Sequence, residues 1–138
     1  MNEHYIVTLD HGHLRIYADS LFPDEQTPPA LVESMDFPAW DYDPNRGPYE
    51  SPFSRRSSFQ IPLSDEEQSR RLTNLAAEIN AFLRSRPTAS WDFAAPADLH
   101  YTILEQLSPR TRLRLRRSVS KDLTQEDPGQ VQALFSAA

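Results

Sequence analysis

The chain has 138 residues, no cysteine and a formal net charge of -6. That length suits one domain with its own core, and the missing cysteine excludes disulfide frameworks, thiol catalysis and thiolate metal sites. The charge argues against non-specific nucleic-acid binding by the whole surface, but it is unevenly spread: residues 1–50 hold ten acids against Arg15 and Arg46, whereas residues 110–121 hold Arg110, Arg112, Arg114, Arg116, Arg117 and Lys121 with no acid.

Tyr5 to Leu9 is β-branched and aromatic, Asp10-His11-Gly12-His13 is a turn cluster, and Leu14 to Tyr17 alternates apolar and polar residues. This pattern predicts an opening β-hairpin. The start, Met1-Asn2-Glu3-His4, has no basic segment followed by an apolar stretch, and no apolar run reaches the roughly 20 residues needed to span a bilayer. A cytoplasmic protein with no membrane partner is the expectation.

Eight of the twelve prolines lie between Ser20 and Pro62. Proline has no amide donor, so this stretch can hold at most short edge strands, and Ala30 to Phe37 is the plausible one. The remainder, about 38–62, reads as a Pro-rich loop insertion. Within it, Ser54-Arg55-Arg56-Ser57-Ser58 offers arginines that could hold a phosphate, although such runs are usually solvated surface.

Ser64-Asp65-Glu66-Glu67 is a capping box, and Leu72, Leu75, Ala76, Ile79, Phe82 and Leu83 follow at helical spacing until Pro87. Trp91 to Ala95 is a short apolar run suited to an interior strand. Leu99, Ile103, Leu104 and Leu107 mark a second helix, and Ser108-Pro109 can open a further turn. Leu113 and Leu115 alternate with arginines toward Val119 as a half-buried strand. Asp127-Pro128-Gly129-Gln130 then opens a terminal helix with Val131, Leu134 and Phe135 on one face. The C-terminal half is thus αβαβα, and the fold class is α/β, a layered sheet flanked by helices.

Three stretches resemble the host attachment proteins, a bacterial family named for a proposed role in attachment to host cells. The strand ending in Asp10 with Arg15-Ile16-Tyr17 close behind is similar to the family's opening strands. Phe93-Ala94-Ala95-Pro96 with Leu99 and Leu107-Ser108-Pro109 is similar to its apolar strand, Pro-started helix and Leu-polar-Pro turn. Val119 followed by Lys121-Asp122-Leu123-Thr124 resembles its most recognisable segment. The resemblance covers nearly the whole chain except the proline-rich middle. It implies relationship to the middle domain of archaeal and eukaryotic release factors and hence an RNase H-like sheet. In that domain a Gly-Gly-Gln loop positions water on peptidyl-tRNA. The corresponding stretch here, Pro44 to Gln60, contains Gly47 and no Gly-Gly-Gln, which argues against peptide release chemistry.

Candidate binding residues are Arg112, Arg114, Arg116, Lys121, Asp122, Arg55 and Arg56. Strand alternation would place Arg112, Arg114 and Arg116 on one face as donors to phosphate or RNA; a solvated face offsetting the acidic half is the competing and favoured reading. Lys121 and Asp122 at a strand end could orient a partner, or Asp122 and Thr124 could accept turn amides as a structural clasp. His4, His11, His13 and His100 do not assemble a convincing metal set: two ligands at i and i+2 are insufficient. With three glycines there is no phosphate-cradling loop or dinucleotide fingerprint, no Ser-His-Asp arrangement is visible, and no cofactor is expected. The reading is a non-catalytic interaction protein, which the resemblance to release-factor relatives implies would act near ribosomes or RNA. The alternative is a hydrolase of peptidyl-tRNA or another nucleic-acid ester acting through the 44–60 loop and Gln60. Oligomeric state is not legible.

Overall fold

In the computed structural model, residues 3–19, 29–37 and 65–136 are described. The elements are β1 (His4–Leu9), β2 (His13–Asp19), β3 (Ala30–Asp36), α1 (Asp65–Arg84), β4 (Ser90–Ala94), α2 (Ala97–Gln106), α3 (Pro109–Leu113), β5 (Leu115–Val119) and α4 (Pro128–Ser136). They form one five-stranded sheet in the order β3-β2-β1-β4-β5. The β1–β2 and β2–β3 pairs are antiparallel, whereas β1–β4 and β4–β5 are parallel. A parallel pair cannot be closed by a tight turn, so α1 and the α2–α3 segment supply the crossovers.

The expected opening hairpin is present, with Leu9 opposite Leu14 and His4 opposite Asp19. Its turn holds no residue at positive φ. The Asp10 carboxylate accepts from the amides of Gly12 at 2.7 Å and His13 at 2.6 Å, and the Asp10 amide donates to the His13 carbonyl at 2.9 Å. An Asx-type side-chain turn therefore does what a left-handed glycine would otherwise do.

The period-2 pattern divides the sheet into two layers. Tyr5, Val7, Leu9, Leu14, Ile16, Trp91 and Phe93 face α1 and α2, where they meet Leu72, Leu75, Ile79, Leu83, Leu99 and Ile103. On the other face Ile6, Tyr17 and Ala94 meet Leu123 and the α4 residues Val131 and Phe135. β4, buried on both faces, is the interior strand its apolar run predicts. β3 lies at the sheet edge, as its proline-rich surroundings require, and Leu31 and Val32 on it are exposed.

Three expectations need correction. The final strand starts at Leu115, not Leu113: Ser108 caps α3 by accepting from the Thr111 amide, Pro109 occupies the first turn, and the helix carries through Leu113. Leu113 is consequently 84% exposed, not half-buried in a strand. With Arg112 in α3 and Arg114 at its C-terminal cap, Arg112, Arg114 and Arg116 do not share a strand face. Leu134 is exposed, so α4 is anchored by Val131 and Phe135 alone of the three apolar residues named for it. The Pro-rich loop at 38–62 and the Ser64 hydroxyl of the capping box lie outside the described residues.

Candidate functional site

At the carboxyl end of β1 the chain turns sharply and leaves Asp10 only 8% exposed. Two segments converge on it. His13, at the start of β2, places Nδ1 3.0 Å from Asp10 Oδ1. Beyond β5, the Thr124 hydroxyl lies 2.5 Å from Asp10 Oδ2 and 2.6 Å from Asp122 Oδ1, and the Thr124 amide donates to Asp122 Oδ1 at 3.0 Å. The Arg15 guanidinium donates to the Thr124 carbonyl at 3.0 Å. A hydroxyl has one proton, so the two carboxylates must share it.

Burial alone would raise the Asp10 carboxyl. Hydrogen bonds from Thr124, Gly12 and His13, together with the pull of His13, outweigh it and hold the group below its ordinary value. The same end of the sheet carries a second polar pair, in which His11 Nε2 lies 2.5 Å from Asp98 Oδ2 in the first turn of α2. These histidines thus point at different carboxylates. Among the described residues no group of three or more His, Asp or Glu side chains is arranged to hold a metal ion.

Underneath, on the α4 side of the sheet, sits a buried polar group that the sequence pattern hides. Asp92 is fully buried; its Oδ2 lies 2.9 Å from His4 Nε2 and 3.2 Å from the Arg117 guanidinium. His4 Nδ1 meets the Ser90 hydroxyl at 2.7 Å. A carboxylate only accepts, so His4 Nε2 carries the proton toward Asp92. Arg117 also donates to the Phe135 carbonyl, binding α4 to β5. Asp92 Oδ1 and Arg117 Nε have no partner among the described residues. The only sequence signal was an acid inside the apolar run Trp91-Asp92-Phe93, which strand alternation turns toward the α4 face.

Of the sequence-predicted residues, Arg114 is committed to the fold. It donates to the carbonyls of Arg86 at 2.6 Å, Leu83 at 3.0 Å and Ala89 at 3.4 Å, closing the end of α1 against β4. Asp122 forms the turn clasp described above. Arg112, Arg116 and Lys121 are exposed, and their side chains have no partner among the described residues. Arg55, Arg56 and Gln60 lie outside them. His100 stacks on Phe93, with ring centroids 5.5 Å apart, and its Nε2 is buried with no partner among the described residues. Burial lowers its pKa.

A family model described as a protein required for attachment to host cells matches residues 5–134. The chain belongs to this host attachment family. The match spans the hairpin, the buried strand β4 and the clasp segment at Lys121 to Thr124, so the Asp10, His13, Asp122 and Thr124 cluster lies within the family's extent, whereas His4 and Phe135 fall just outside it. No curated protein matches the chain. A solved structure titled "Archaeal protein" is similar at 13% identity, with a TM-score of 0.47 over 99% of this chain and 39% of that one. The host attachment chain therefore spans 39% of that neighbour's length, and so slight a likeness establishes no shared fold. Among the described residues no helix is long and apolar enough to cross a membrane.

Proposed function

We propose that this host attachment protein is a non-catalytic, cytoplasmic interaction protein whose single domain, residues 1–138, contacts ribosomal RNA. The carrying observation is a division of labour among polar groups. At the carboxyl ends of the strands, where α/β folds commonly place chemistry, Asp10, His13, Asp122 and Thr124 are engaged with one another, as are His11 and Asp98. Arg112, Arg116 and Lys121, by contrast, stand in solvent without side-chain partners among the described residues. Partnered carboxylates suit a structural clasp, and free cations suit phosphate contact.

The relationship to release factor middle domains, and with it an RNase H-like sheet, belongs to the same proposal. The strand order β3-β2-β1-β4-β5, with β2 antiparallel to both neighbours and β1, β4 and β5 parallel, supports it.

Co-sedimentation of the protein with ribosomes across a salt series tests the reading. Three phosphate contacts predict a logarithmic salt slope of roughly -2 to -3. Arg112→Glu, Arg116→Glu and Lys121→Glu together should abolish sedimentation without unfolding the protein. Absence of binding at low salt would rule the ribosomal reading out.

A further inference from the structure

At the amino ends of β4 and β5, opposite Asp10 and Thr124, the end of α1 and the short α3 bound a cavity of about 430 Å³. Arg84, Pro87, Arg110, Leu113 and Arg114 are among its lining residues, and none of the described lining residues is acidic. Arg114 forms a fixed part of the wall, its guanidinium held by three backbone carbonyls. Arg84 and Arg110 differ: both are exposed and have no side-chain partner among the described residues. Leu113 projects beside them with most of its surface in water. A cavity pairing two free guanidiniums with exposed aliphatic and prolyl surface asks for a ligand of both characters.

The combination discriminates between anionic partners. A phosphodiester backbone would satisfy the arginines but offers no aliphatic group to cover Leu113, and the described lining residues include no aromatic ring on which a base could stack. Carboxylate side chains fit the guanidinium fork equally well and come on a chain that can also carry an apolar residue. We propose that this cavity binds an acidic protein segment bearing aliphatic side chains, its carboxylates on Arg84 and Arg110 and an aliphatic group on Leu113 and Pro87. None of these residues is needed for the ribosomal contact proposed above, so the two ideas stand or fall separately.

Fluorescence anisotropy of the full chain with labelled peptides tests it. The probes are a peptide of alternating glutamate and leucine, its glutamine-leucine counterpart, a leucine-free polyglutamate and a labelled oligouridine. The glutamate-leucine peptide should bind more tightly than the other three at low salt. Arg84→Glu with Arg110→Glu should weaken it about tenfold or more, in line with loss of charge-assisted hydrogen bonds. Leu113→Ser should weaken it too, while leaving the polyglutamate unchanged. These side chains are exposed, so far-ultraviolet circular dichroism should match the parent. Equal binding of the glutamine-leucine or leucine-free peptide, affinity indifferent to the charge reversals, or stronger binding of oligouridine through Arg84 and Arg110 would each overturn the proposal.

Discussion

Thr124 hydrogen-bonds Asp10 at 2.5 Å across 114 positions of sequence, joining the turn after the first strand to the segment after the last. Thr124→Val keeps the shape and removes the hydroxyl, leaving a nearly buried carboxylate short of a donor. The expected loss is about 1–3 kcal/mol of stability, read from urea unfolding. Asp122→Asn, on an exposed side chain that still presents an acceptor oxygen, should cost less.

The same contact sets an acid limit. Asp10 has a lower pKa folded than its ordinary 3.8, so its stabilisation is fully present above that value and is lost as pH falls through the folded pKa. His100 acts in the same direction from a higher starting point. Burial lowers its pKa below 6.5, so stability is fully present above pH 6.5 and declines as pH falls toward the folded value. Thermal melts from pH 7 downward should therefore show two successive losses. His100→Phe should remove the earlier one and Asp10→Asn should blunt the later.

Arginines in the basic run should separate by role. Arg114→Ala deletes donors to three carbonyls at the α1–β4 junction and should cost about 1.5–3 kcal/mol, because hydrogen bonds from a charged donor are the stronger kind. Arg112→Ala and Arg116→Ala should change stability by less than about 0.5 kcal/mol. Denaturant midpoints at fixed slope would distinguish them.

Arg117→Met removes the cation beside fully buried Asp92 and the donor to the Phe135 carbonyl. A buried carboxylate deprived of its cation typically costs about 3–5 kcal/mol, and α4 should loosen with it. Amide hydrogen exchange in α4 should rise more than in α1. Adding Asp92→Leu to Arg117→Met should recover part of the loss.

Much of the framework was legible in residue patterning. The hairpin, the edge strand at Ala30, the helix carrying Leu72 to Leu83 and the buried strand at Trp91 each follow from one local rule, and the Asp122 clasp was among the readings of its turn. The end of α3 was not, because Arg-Leu-Arg-Leu-Arg satisfies strand alternation while Ser108 and Pro109 also start a helix, and the capped helix runs on to Leu113. The candidate site was less readable. Thr124 with Asp10, and His4 with Asp92 and Arg117, are brought together by parallel strand pairing, which leaves no periodic trace in either partner segment.

That parallel pairing also governs how the chain can be born. β1 emerges first, yet the neighbour that covers one of its edges is β4, with His4 opposite Ser90 and Thr8 opposite Ala94. During synthesis the hairpin must wait, with that edge open, until residues beyond Ala94 have cleared the exit tunnel. Non-local closure of this kind slows folding and leaves a strand edge available for mispairing in the interval. Nascent chains arrested before β4 should accordingly be protease-sensitive, with protection acquired only after β4 and β5 are both free of the tunnel.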